Sequence, residues 1–84
     1  MTKNEILRKQ IIYRSTHRGS KEMDLLLGNF VEKYIDCFDE FDLKYLNEIM
    51  GMEDEVIYRW YFKKKKIEPM SNNKVTKMLK DFKL

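Results

Sequence analysis

Alanine is absent from this chain, and cysteine, proline, histidine and tryptophan occur once each. Without alanine, the core has to be built from Leu, Ile, Met and aromatic side chains. A lone Cys37 cannot form an intramolecular disulfide, which fits a reducing compartment. Cys37 and His17 together are too few ligands for a structural zinc. No apolar run approaches the ~18 residues needed to cross a bilayer. The amino terminus lacks the apolar core of a secretory signal and carries Glu5 within a short polar start, so a bacterial cytoplasmic location is expected. Strand signals are also missing: there is no sustained period-two alternation and no Asn-Gly hairpin turn.

What remains is a chain of 84 residues, the size of one domain, taken as a single helical unit over 1–84. A domain this short buries only about 60% of its unfolded surface, and a deep, water-excluding pocket is hard to build from it. Size therefore argues against a self-contained enzyme. The net charge of +3 is unevenly spread. Lys63 to Lys66 form a basic run, whereas Asp36 to Asp42 form an acidic connector.

Helical periodicity recurs along the sequence and predicts a compact all-α bundle of five helices. Asn4 is the expected cap of a first helix ending near Ser15, with Leu7, Ile11 and Arg14 on one face. Gly19 ends the junction that follows, and Ser20 is the expected cap of a second helix. Met23, Leu26, Leu27, Phe30, Val31 and Tyr34 give that helix a broad apolar stripe. Asp42 is the expected cap of a third helix with Leu43, Leu46, Ile49 and Met50 inward, ended by Gly51. Asp54 starts a fourth, with Val56, Ile57, Trp60 and Tyr61 inward. Pro69 marks a break, and Ser71 is the expected cap of a fifth helix bearing Val75, Met78, Leu79 and Phe82.

The densest chemistry lies at the first junction. Residues 14–24 hold three cations, two anions and one of three glycines. Glu22 and Asp24 point about 160° apart around a helix, so they do not converge as a catalytic carboxylate pair. Arg14, on an apolar stripe, calls for a carboxylate partner because an unpaired buried charge is costly. Asp24, at the edge of the core stripe, is the expected partner in a structural ion pair. Arg18, Gly19, Glu22 and Leu25 are left as an outward patch with a small apolar centre, bordered by His17. Arginine is a preferred interface anchor, and glycine either supplies a positive φ or admits another backbone. His17 has no nucleophile or second histidine to work with, so no catalytic, cofactor or metal role is assigned.

The run from Arg8 to Leu27, containing Tyr13-Arg14-Ser15 and Arg18-Gly19-x-x-Glu22 followed by Asp24, resembles the small flavinylation factors that assemble succinate dehydrogenase. The stretch from Ile49 to Trp60, with an apolar pair, Asp54 and then the tryptophan, looks like the same family's second signature. The resemblance covers roughly residues 5–62 and leaves 63–84 as a basic segment plus a C-terminal helix. His17 before Arg-Gly resembles the alphaproteobacterial form. The resemblance implies a five-helix protein that binds the flavoprotein subunit of succinate dehydrogenase, or of fumarate reductase. It implies a chaperone that promotes covalent attachment of FAD to that subunit, with no cofactor held stably by the chain itself. The contact surface would be the motif residues Arg18, Gly19 and Glu22. The alternative reading is a small nucleic-acid-binding or antitoxin-like regulator using Lys63 to Lys66. A nucleic-acid partner is disfavoured because neither a zinc-finger spacing nor an RNA-binding aromatic motif accompanies the lysines, and lysines at a helix end also suit its dipole.

Overall fold

Lys3–Thr16 (α1), Lys21–Tyr34 (α2), Glu40–Met50 (α3), Asp54–Tyr61 (α4) and Lys74–Asp81 (α5) are the helices of this computed structural model, which describes residues 2–66 and 70–84. A single 3₁₀ turn, Ile35–Cys37, follows α2. No strand occurs among the described residues. The expected break at Pro69 lies outside them.

Ser20 caps α2 as its sequence implies, its hydroxyl accepting the Met23 N–H at 3.3 Å. The other caps sit elsewhere than expected. Thr2, not Asn4, caps α1, with Oγ1 accepting the Glu5 N–H at 3.1 Å. Asp39, not Asp42, caps α3. Asp39 Oδ1 accepts the Asp42 N–H at 2.9 Å, and Asp42 Oδ2 accepts the Asp39 N–H at 3.3 Å. This reciprocal box satisfies two end donors at once, which one aspartate alone does not. The helix therefore begins three residues early and carries Phe41 on its outer side, 66% exposed. Asn73, not Ser71, caps α5 through a similar box with Thr76.

The core forms where the predicted stripes meet. Met23, Leu26, Leu27, Phe30 and Val31 of α2 are buried, as are Leu43, Leu46, Ile49 and Met50 of α3. Ile11 is the fully buried contribution of α1, while Ile57 and Tyr61 serve α4, and Val75 and Leu79 serve α5. Tyr34, Trp60, Met78 and Phe82 pack against this cluster without being fully enclosed. Phe30 sits at the centre of an aromatic group with Tyr34, Phe38 and Phe82, at ring-centroid distances of 5.1, 6.3 and 5.4 Å. Burial of such side chains is the main stabilising term, about 1.5–3 kcal/mol each.

Helix α1 packs against both α2 and α3, and α5 packs against α3. A methyl group added at Gly28 of α2 would lie 3.4 Å from Thr16 Cγ2, which places this position on the α1-facing side of α2. The fifth helix is tied down by Lys74 Nζ on Asp42 Oδ2 at 3.2 Å and by the Tyr61 hydroxyl, which donates to the Phe82 carbonyl.

Candidate functional site

The turn between α1 and α2, His17–Ser20, lies directly against the turn between α3 and α4. Arg18 joins them. Its Nε donates to Asp54 Oδ1 at 2.7 Å, its Nη1 to the Met50 carbonyl at 2.7 Å and its Nη2 to the Met52 carbonyl at 2.6 Å. The side chain is 9% exposed. The planar guanidinium thus spends its fork on one carboxylate, on the carbonyl of Met50 at the end of α3 and on that of Met52 in the turn that follows. Around it the turn itself is fixed from both sides. The Arg18 N–H donates to Asp24 Oδ1 at 2.7 Å, and the Gly19 N–H donates to Asp54 Oδ2 at 2.5 Å.

This clasp changes the roles expected for the junction. Arg18 is an inward residue. The burial expected of Arg14 belongs instead to Arg18, because the chain leaves α1 between them and turns the later side chain under α4. The expected Arg14–Asp24 ion pair is likewise replaced. Exposed Arg14 donates through Nη1 to Asn47 Oδ1 at 3.0 Å, and half-buried Asp24 serves the Arg18 backbone. Both arginines reach from the α1 side to the end of α3, one turn apart. Gly19 does not have a positive φ. It is needed because a Cβ at this position would stand 3.0 Å from Asp54 Oδ2. The glycine therefore permits the short approach of its own N–H to the carboxylate.

What stays accessible is the outer edge of the turn. Gly19 and Glu22 are exposed, and Leu25, one helical turn further on, is 50% exposed. Glu22 shares a shallow groove with Ser20, Asp54, Glu55 and Tyr58. On the α1 side, His17 stacks on Tyr13 with ring centroids 3.8 Å apart and planes 13° from parallel. Its Nδ1 lies 2.7 Å from the Tyr13 carbonyl, which can only accept, so Nδ1 carries a proton and donates there. Tyr13 itself is 63% exposed. The site is a charged, aromatic edge carried on a rigid double turn. Among the described residues no group of His, Cys, Asp and Glu is arranged to hold a metal.

Two participants are hard to read from the sequence. Asp54 stands out in the sequence as a first-turn acid of α4 and as part of the second signature, but its hold on Arg18 shows only once the two turns are folded together. Asn47 gives no local signal at all as the partner of Arg14. Tyr13 could have been found, because it is four residues before His17 on one helical face.

A family described as the flavinator of succinate dehydrogenase matches residues 9–83. The chain belongs to this flavinator family. The match runs through the basic segment and α5. Among its relatives is a mitochondrial succinate dehydrogenase assembly factor 2 of Scheffersomyces stipitis, 36% identical over 92% of this chain and 54% of that protein. The protein of the same description from Saccharomyces cerevisiae is 35% identical over 89% of this chain and 49% of its own length. The FAD assembly factor SdhE of Acetobacter pasteurianus is 33% identical over 87% of this chain and 64% of its own length. The chain spans about half the length of the first of these curated relatives. No solved structure matches it. In this flavinator-family chain, the Arg-Gly-x-x-Glu stretch is divided by function: Arg18 and Gly19 build the double turn, and Glu22 faces out from it. No helix among the described residues is long and apolar enough to cross a membrane.

Proposed function

We propose that this chain is an assembly factor that binds the flavoprotein subunit of succinate dehydrogenase, or of fumarate reductase, and promotes covalent attachment of FAD to it. The observation that carries the proposal is the family match over residues 9–83. FAD belongs to the client, and the bond is made by client groups. The factor contributes position: it binds preferentially the client conformation in which flavin and acceptor side chain are aligned, and so raises that population. A rigid surface suits this task better than a pocket, because affinity spent on ordering the factor itself is lost to the client. We take the outer edge of the double turn, with Gly19, Glu22, Leu25 and His17, as the contact, and Arg18 as the residue that holds this edge in shape. Asp24 supports the same turn from within. A bacterial cytoplasm is the setting we propose, supported by the Acetobacter pasteurianus relative.

The test is covalent flavin on the client. Client flavoprotein produced with this chain is denatured, run on a gel and read for flavin fluorescence. Glu22→Ala is expected to lower the signal clearly while leaving the helical circular-dichroism spectrum unchanged. Undiminished fluorescence with both Glu22→Ala and Leu25→Ala would remove the proposed contact. Client flavin that is independent of the chain altogether would remove the function.

A further inference from the structure

The edge proposed for the client does not stop at α2. Tyr58 and Phe62, one turn apart at the outer side of α4, are both exposed. Their rings lie 4.8 Å apart between centroids and are tilted by 35°, so they form a single aromatic ridge. Phe62 is braced from behind, edge-on against the ring of buried Tyr61 at 4.8 Å. Lys66 and Met70 line a hollow with Trp60. Tyr58 and Phe62 each stand about 160° from Trp60 around the helix, so the ridge faces away from that hollow.

Tyr58 brings the ridge to the double turn. It lines the shallow groove that holds Ser20, Glu22, Asp54 and Glu55, which makes the aromatic pair and the Gly19–Leu25 edge one surface. The three carboxylates of the groove are not equivalent. Asp54 is held by Arg18 and the Gly19 N–H, and Glu55 by Arg59 at 2.5 Å. Glu22 enters no ion pair among the described residues. The groove therefore offers one uncommitted carboxylate beside an aromatic ring. An arginine answers both, because its planar guanidinium pairs with a carboxylate through two N–H groups and also stacks on an aromatic face. Lysine supplies the charge without the fork, and an apolar side chain would desolvate Glu22 without pairing it, which is costly.

We infer that the client contact runs from the turn onto α4, with the Tyr58–Phe62 ridge as its aromatic anchor, and that it seats an arginine of the flavoprotein subunit between Glu22 and Tyr58. The identity of the partner rests on the flavinylation reading. The whole chain is titrated into the succinate dehydrogenase flavoprotein subunit of the native host, and binding is followed by calorimetry. Tyr58→Ala combined with Phe62→Ala should weaken binding about tenfold or more, as loss of an aromatic anchor does. Two milder variants keep the fold and test the arginine: Tyr58→Leu retains apolar bulk without the ring, and Glu22→Gln retains the shape without the charge. Each should weaken binding about tenfold, and the two together little more than either alone, since both hold the same guanidinium. Circular dichroism should be the same for all of them. Parent-like affinity in the double aromatic variant overturns the ridge, and fully additive losses from Tyr58→Leu and Glu22→Gln overturn the shared arginine. Either result, with a parent chain that still binds and flavinylates the subunit, leaves the proposed function standing. A parent chain that neither binds the subunit nor raises its covalent flavin removes that function and this surface with it.

Discussion

Replacing Arg18 by alanine tests whether this residue builds the site or contacts the partner. Its guanidinium makes three short hydrogen bonds, to Asp54 Oδ1, the Met50 carbonyl and the Met52 carbonyl. The arginine side chain is 9% exposed and that of Asp54 is 22% exposed. Breaking a buried pair from one side costs about 3–5 kcal/mol, because the remaining charge is left without its partner. Asp54 retains the Gly19 N–H and has some access to water, so the lower end, about 3 kcal/mol, is the appropriate figure. A chain of 84 residues has roughly 4–13 kcal/mol of total stability. The substitution would therefore remove a large part of it and lower Tm by about 12–24 °C. Thermal and urea unfolding followed by circular dichroism measure this. The paired variant Arg18→Met with Asp54→Leu should recover part of the loss, since no lone charge remains. A stability change of less than about 0.5 kcal/mol in Arg18→Ala, the range of an ordinary surface substitution, would refute the clasp. If client flavinylation were lost at the same time, Arg18 would be a contact residue.

The remaining predictions concern the same turn and the seat of α5. Gly19→Ala should cost about 1 kcal/mol or more, because the new methyl group meets Asp54 Oδ2 at 3.0 Å and displaces the carboxylate from Arg18; unfolding in urea would show it, and a neutral effect would mean that the carboxylate moves freely. A larger side chain such as Gly19→Arg should loosen the double turn, which hydrogen exchange of the Arg18 and Gly19 amides would register. Glu22→Ala should change stability by no more than about 1 kcal/mol, the size of a helix-dipole contribution at an exposed first turn, while reducing flavin on the client. Burial raises the pKa of the Tyr61 hydroxyl above its ordinary value of 10.0. The folded state then holds a proton that the unfolded chain has already released, so the stabilisation is intact below about pH 10 and is lost as pH rises above it. Tyr61→Phe should remove that alkaline dependence at a cost of about 0.5–1.5 kcal/mol at neutral pH, the usual worth of one hydrogen bond; an alkaline profile identical to the parent would exclude Tyr61 as its source.

Much of the fold could be read from periodicity. The stripes of α2 and α3 are the buried faces observed, because the side chains that recur every three to four residues there are large and apolar. Cap positions were less legible. Asp39 and Asp42 are both competent caps, and only the reciprocal hydrogen bonds of the folded turn select Asp39. The exposure of Phe41 follows from that selection and not from its hydrophobicity. The same holds for the site. A charge-rich junction with a glycine is visible in the residues, and so is the outward direction of Glu22.

The sequence by itself determined the all-α class, the five helices, the inward faces and the concentration of charge between Arg14 and Asp24, since all of these follow from local spacing. The tertiary structure alone decided how that charge is used. Arg14, Arg18 and Asp24 can each be drawn to several partners, and local geometry favours Arg14 with Asp24. Their partners are set by which distant turn is brought beside them. The packing of α1 on α3 carries Asn47 to Arg14, and places Asp54, Met50 and Met52 around Arg18. Hydrogen bonds act over about 3 Å, whereas Arg18 and Asp54 lie 36 positions apart in the chain. No reading of neighbours along the sequence can supply that contact.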